Sequence, residues 1–191
     1  ILTTAKKEDF SNYDELIDAL VGLYYSYWIG GHNSQKIKRP SYKILRKIKG
    51  GEGIEGIRDY IENKRSGDDI AQKVQNNLYS EVYGENWHRP LLLALEYNLS
   101  VDKKTGEIEP GQDIHVEHIL PKSYESAMEK EEYWREQFDA EEAAKLRHTL
   151  GNLTPLEQKV HDVVQQKPFK AKKAHYMGKD DTLASLGDAR E

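Results

Sequence analysis

The sequence predicts a mainly α-helical protein in two parts. A helical bundle is expected over residues 1–99, and a small unit of two short strands and a helix over residues 100–191. Three observations predict this arrangement. Apolar residues recur at spacings of three and four through most of the first hundred positions. A turn-rich stretch from Val101 to Pro110, containing Lys104-Thr105-Gly106-Glu107, then interrupts the pattern. Beyond it, Ile114, Val116 and His118 alternate with His115 and Glu117, so a period of two replaces the helical one.

The first helix is read from Leu16, Leu20, Leu23 and Tyr27, beside a parallel row of Ile17, Val21, Tyr24 and Trp28, and Gly30-Gly31 ends it. Its wide apolar arc predicts burial. Pro40-Ser41 offers the start of a short basic helix that Gly50-Gly51 closes. Ile54, Ile57 and Ile61 trace one face of the next helix. Asp68-Asp69 precedes Ile70, Val74, Leu78 and Val82. Pro90 suits the first turn of a helix from Leu91 to Leu99, whose leucines predict a central core position. About five helices result from this periodicity. Tyr24, Tyr25, Tyr27, Trp28 and Trp87 are expected in their core rather than as stacking platforms for bases.

In the second part, Pro121 ends the first strand and residues 128 to 148 read as one or two inserted helices. Leu153, Thr154 and Leu156 suit a return strand, and Val160, Val163 and Val164 mark a helix carrying His161. Strand, loop, strand and helix is the order that a ββα-metal nuclease core needs.

Composition narrows the chemistry. A chain of 191 residues and 22.0 kDa fits one domain or two small ones. Charged residues make up 32%, no apolar run approaches the roughly 18 residues of a bilayer span, and no signal-like segment opens the chain. These features predict a cytoplasmic protein with no membrane partner. The absence of cysteine excludes disulfides and thiolate zinc sites, so any metal must be held by histidine, carboxylate, amide or water. The start at Ile1-Leu2-Thr3-Thr4, without methionine, leads us to expect a piece of a longer protein. The net charge of −5 hides a strong segregation. Between Asn33 and Gly51 stand seven basic residues and no acid, among them Lys43, Arg46 and Lys47. Lys167, Lys170, Lys172 and Lys173 form a second basic cluster. Both suit contacts with a polyanion, although a charge run is often only a solvated face.

The chemistry-bearing residues are Glu117 and His118 in the run Val116 to Pro121, Asn152 in Leu150-Gly151-Asn152-Leu153-Thr154, and His161 nine residues beyond Asn152. Each has an ordinary reading, because a lone histidine is usually a hydrogen-bonded structural residue and Gly-Asn is a common turn. Their ordered combination is what points to chemistry. Phosphodiester hydrolysis needs a base for water and a cation for developing phosphate charge. His118 suits the base, since histidine titrates near neutrality. The Asn152 amide can bond the backbone across the loop and hold the imidazole tautomer. His161 and Glu117 suit a magnesium or manganese ion completed by water and phosphate. Alternation leaves Glu117 open between the site and solvent. Lys172 is a candidate for contacting phosphate. His32, His88, His115, His148 and His175 are assigned ordinary structural roles.

Residues 116 to 176 resemble the HNH nuclease domain at the C-terminus of GmrSD-type, type IV restriction enzymes. The likeness rests on Val116 to Pro121, Leu150 to Thr154, His161, Pro168-Phe169, Lys172 and Tyr176. Arg89-Pro90-Leu91-Leu92-Leu93 and Glu96-Tyr97 resemble the family's helix before the catalytic strand. The resemblance implies a divalent-metal-dependent endonuclease that nicks or cuts duplex DNA in anti-phage restriction. It implies His118 as base, Asn152 as loop organiser and His161 on the metal side, together with an upstream nucleotide-hydrolysing, ParB-like domain. An SspE-type factor, responding to phosphorothioate-modified DNA, is similar in architecture. The chain departs from the pattern at His161, where the family often has asparagine, at Lys122, where it has an amide, and at Pro155, where it has leucine. Two alternatives share the motif: a DNA-binding or regulatory module without activity, and a nuclease that cuts RNA.

Overall fold

The structure is a computed structural model that describes residues 1–67, 70–99 and 113–176. The turn expected over Val101 to Pro110 and the helix start at Asp68-Asp69 lie outside the described residues. The described chain is mainly helical, and none of its helices is long and apolar enough to cross a membrane. It forms two compact units, Ile1–Tyr79 and Ser80–Glu191.

The first unit contains α1 (Leu2–Lys7), α2 (Tyr13–Ile29), α3 (Ser34–Lys49), α4 (Ile54–Ser66) and α5 (Ile70–Leu78). The α1 helix has no counterpart in the sequence reading and contributes Ala5 to the core. Leu16, Leu20, Leu23 and Tyr27 of α2 meet Ile44 and Ile48 of α3 and Ile54, Ile57 and Ile61 of α4 in that core. The second apolar row of α2 is not buried as expected. Val21, Tyr24 and Trp28 are 48%, 41% and 38% exposed, because α4 and α5 pack against α2 on the Leu16–Tyr27 side. The α3 helix also begins earlier than the sequence suggests. Asn33 caps it by accepting a hydrogen bond from the Lys36 amide, and Pro40 lies inside the helix with its ring buried. Proline forfeits one backbone bond and crowds the preceding turn, but burial of Pro40, Ile44 and Ile48 on one face opposes that cost. Gly51, at φ +74°, makes the turn that ends the helix.

The second unit contains α6 (His88–Leu99), β1 (Ile114–His118), α7 (Tyr124–Lys130), α8 (Glu132–Gln137), α9 (Ala140–Leu146), a 3₁₀ turn (Leu150–Asn152), β2 (Leu153–Glu157), α10 (Gln158–Val164) and α11 (Phe169–Tyr176). The sequence suggests a boundary near residue 100, whereas the compact units meet at Tyr79 and Ser80. The segment after Ser80 joins the second unit because the Val82 amide donates to the His148 carbonyl at 2.8 Å and α6 packs on β2. Within α6, Leu92 is buried but Leu95 is 40% exposed, so the helix covers the sheet rather than filling a core centre. Three short helices, not one or two, separate the strands. They enclose Leu120, Tyr124, Ala127, Trp134 and Ala143, and the Trp134 indole donates to the Gln166 carbonyl at 2.9 Å.

The strands pair antiparallel, with Val116 opposite Pro155 and His118 opposite Leu153. The return strand runs through Pro155 without a break. Its tolerance follows from register. The Gln158 amide bonds the Asp113 carbonyl, and the Ile119 amide bonds the Asn152 carbonyl. Counting inward from these bonds, Val116 and Pro155 form a non-hydrogen-bonded pair, where the missing N–H removes no ladder bond.

Candidate active site

The end of β1 delivers Glu117 and His118 to opposite faces of the strand, and both are buried. Asn152, in the 3₁₀ turn, pins the segment that follows. Its side-chain oxygen accepts from the Leu120 amide at 2.6 Å, and its side-chain nitrogen donates to the Leu120 and Arg147 carbonyls at 3.0 and 2.8 Å. Asn152 therefore ties the Leu120 and Arg147 backbone together across the loop. It makes no bond to the His118 ring, so the expected hold on the tautomer does not come from this amide.

The His118 ring instead meets His148, which the sequence reading set aside. His118 Nε2 lies 3.2 Å from His148 Nδ1. Tyr83 stacks on His148 at 5.3 Å between centroids and meets His118 edge-on at 4.6 Å, while Lys122 lies over the Tyr83 ring. Burial pushes the His118 pKa down, His148 and the cations Lys122, Lys172 and Arg147 push it further, and it falls to about 4. His118 is therefore neutral at physiological pH. Burial also lowers the His148 pKa.

On the other face, Glu117 is held from two sides. Its Oε1 accepts from Lys172 Nζ at 2.7 Å, and its Oε2 lies 2.7 Å from His161 Nδ1. Lys172 is completely buried and also donates to the His118 carbonyl at 2.8 Å. The expected contact between Lys172 and DNA is corrected by this burial: the ammonium has no solvent-facing surface and instead orients Glu117 and the end of β1. Burial lowers the Lys172 pKa, against the raising effect of Glu117. His161 stacks on His115 at 5.1 Å, and His115 Nε2 lies 3.3 Å from Asp113. The buried Tyr176 hydroxyl has no hydrogen-bond partner among the described residues, and burial, with the Glu117 charge, raises its pKa.

Glu117, His118 and His161 border one cavity of about 840 Å³, together with Arg89, Lys122 and Lys130. Lys167, Lys170 and Lys173 are exposed at and before α11, and Lys167 Nζ lies 3.3 Å from His175 Nε2. In the first unit Lys43 and Arg46 are exposed on α3. Lys47 is not the free cation that the charge run suggests, because it pairs with Glu52. Among the described residues no group of three or more histidine, aspartate and glutamate side chains is arranged to hold a metal. The available donors are the pair Glu117 and His161.

Residues 68–185 match the family model described as GmrSD restriction endonucleases, C-terminal domain. The chain belongs to this family. The match covers well over half the sequence and includes every residue of the site from Tyr83 to Tyr176. No curated protein and no solved structure matches the chain. A GmrSD-type restriction endonuclease domain acts on DNA, and in this member the cavity that borders His118 is also lined by cations suited to phosphate. Sequence reasoning missed three residues of this GmrSD-type site. His148 stands four positions before Asn152, which is a local signal. Lys122 directly follows Pro121, but Tyr83 carries no signal in the sequence.

Proposed function

We propose that the chain is a divalent-metal-dependent DNA endonuclease of the His-Asn-His, ββα-metal kind. The observation that carries this reading is the convergence of Glu117, His118 and His161 on one cavity within the family-matched region. In the tautomer that carries the His118 proton on Nε2, that N–H donates to His148 Nδ1, 3.2 Å away, and His118 Nδ1 is the nitrogen that would accept a proton from the attacking water. The depressed pKa keeps that acceptor free of protons at pH 7. Asn152 fixes the backbone that carries the ring. Glu117 Oε2 and His161 Nδ1 would hold the ion. These two atoms lie 2.7 Å apart at the cavity, joined there by a hydrogen bond. Two protein donors suit magnesium or manganese, which keep waters and take substrate oxygens. When bound, such an ion would neutralise charge on the phosphate oxygens. Lys122, Arg89 and Lys130 face the phosphates from the cavity wall, and Lys167, Lys170 and Lys173 meet flanking backbone. We further read the chain as the cutting part of an anti-phage restriction protein gated by a ParB-like, nucleotide-hydrolysing domain.

Plasmid cleavage tests the proposal. The chain and its His118→Ala variant are incubated with supercoiled DNA over magnesium, manganese, nickel and zinc, with an EDTA control. Metal-dependent nicking that the variant loses is expected. Intact plasmid under every metal at low salt would sink the reading and leave a DNA-binding module.

A further inference from the structure

We infer that the first unit grips a DNA strand by its sugar–phosphate backbone, in a basic cavity along α3. This inference rests on the DNA-cutting reading above but concerns residues outside that site. Lys36, Arg39, Lys43 and Arg46 stand at i, i+3, i+7 and i+10 of α3. At about 100° per residue they fall within an arc of about 80°. Lys64 of α4 borders the same cavity, which has a volume of about 760 Å³. Among the described residues no acidic side chain lines it, and none of these five cations forms an ion pair.

Three other cations of this unit are paired with carboxylates. Lys47 pairs with Glu52, Arg58 with Glu15 and Arg65 with Glu62. What sets the five cavity cations apart is that two helices bring them together on one concave surface, where positive charge accumulates. Like charges gathered in this way repel one another and focus a positive potential on the groove. The shape of the array selects among anions. Ten residues of helix extend about 15 Å, room for several successive phosphates of one strand and longer than one compact anion needs. Tyr27, Tyr60 and Pro40 supply an apolar floor for sugars. The array adds Lys36, Arg39 and Lys64 to the residues suggested by the charge run, and excludes Lys47.

Duplex binding to the whole chain, measured by fluorescence anisotropy in EDTA and in a His118→Ala background, tests this. One variant carries Lys36→Gln, Arg39→Gln, Lys43→Gln and Arg46→Gln. A charge-matched control carries Lys6→Gln, Lys7→Gln, Lys38→Gln and Lys49→Gln, all at exposed positions. The cavity variant is expected to bind at least tenfold more weakly at low salt. Its slope of log affinity against log salt should fall by about 3.6, or about 0.9 for each of the four lost phosphate contacts. The control should stay near the parent. Equal losses in both, or no change in the cavity variant, would overturn the inference. If circular dichroism shows that the fourfold variant is unfolded, the two double variants, Lys36→Gln with Arg39→Gln and Lys43→Gln with Arg46→Gln, should each show about half the slope change. Inorganic triphosphate is the competing occupant. Tight binding of it, with duplex affinity unmoved by the substitutions, would assign the cavity to a free polyphosphate and overturn the strand. Because binding is read without cleavage, a chain that never cuts but shows the expected loss would retain this inference while sinking the nuclease.

Discussion

His148 and Lys172 each act through a neighbour rather than through substrate. His148 hydrogen-bonds the His118 ring, so on the proposed mechanism His148→Ala should leave folding intact and lower the cleavage rate about ten- to a hundredfold, the range for a lost orienting partner. Steady-state kinetics would show a fall in kcat with little change in KM, and an unchanged rate would remove His148 from the site. Lys172 balances a buried carboxylate. Lys172→Met should cost about 3 kcal/mol in urea unfolding, because Glu117 would remain charged and half-satisfied away from water. Adding Glu117→Gln should recover much of that loss, and an unaltered midpoint in the single variant would show that the pair contributes nothing. Glu117, His118 and Asn152 were legible as candidates because they lie in dense local runs, and His161 because it follows Asn152 by nine residues. His148 and Tyr83 reach His118 only after the chain has folded back from positions 30 and 35 residues away, and the sequence does not show which such returns occur. Lys172 was legible as part of a basic cluster but not as a buried residue, since burial depends on what α10 and β1 place around it.

Elements were legible where period and punctuation agreed. Ile54, Ile57 and Ile61 mark α4, and alternation from Ile114 marks β1. They misled where one residue type was given too much weight. Pro40 was read as a helix start, but the Asn33 cap and the buried face of α3 carry the helix through it. The two apolar rows of α2 look alike in sequence, and only the neighbouring helices decide which is covered. Pro155 offers the clearest test at this scale. Because it occupies a non-hydrogen-bonded pair, Pro155→Ala should change stability by less than about 1 kcal/mol, which thermal unfolding can measure. A loss of several kcal/mol would mean that the register differs.

For the whole molecule, the buried histidines set a pH dependence. His118 has a folded pKa of about 4 against an ordinary 6.5, so the unfolded chain takes up the proton first as pH falls. Stability is therefore full above pH 6.5 and declines from there toward pH 4, by on the order of a few kcal/mol. His148 is shifted in the same direction. Melting temperatures of the EDTA-treated chain should fall through that window, and His118→Gln should flatten the decline. A melting temperature flat from pH 7 to pH 4 would refute the burial argument. The division of the chain was only partly legible, because the turn-rich stretch suggested a break that the Val82–His148 bond and the packing of α6 on β2 place earlier.

Among the described residues the two-stranded sheet leaves an outer edge on each strand, and unpaired edges invite pairing with other strands. At a non-hydrogen-bonded position the backbone N–H points away from the partner strand, so the donor missing at Pro155 is missing from the outer edge of β2. An approaching strand would find a gap at the middle of this five-residue edge. The proline that the ladder tolerates without loss thus denies any added strand one backbone donor at the centre of that edge.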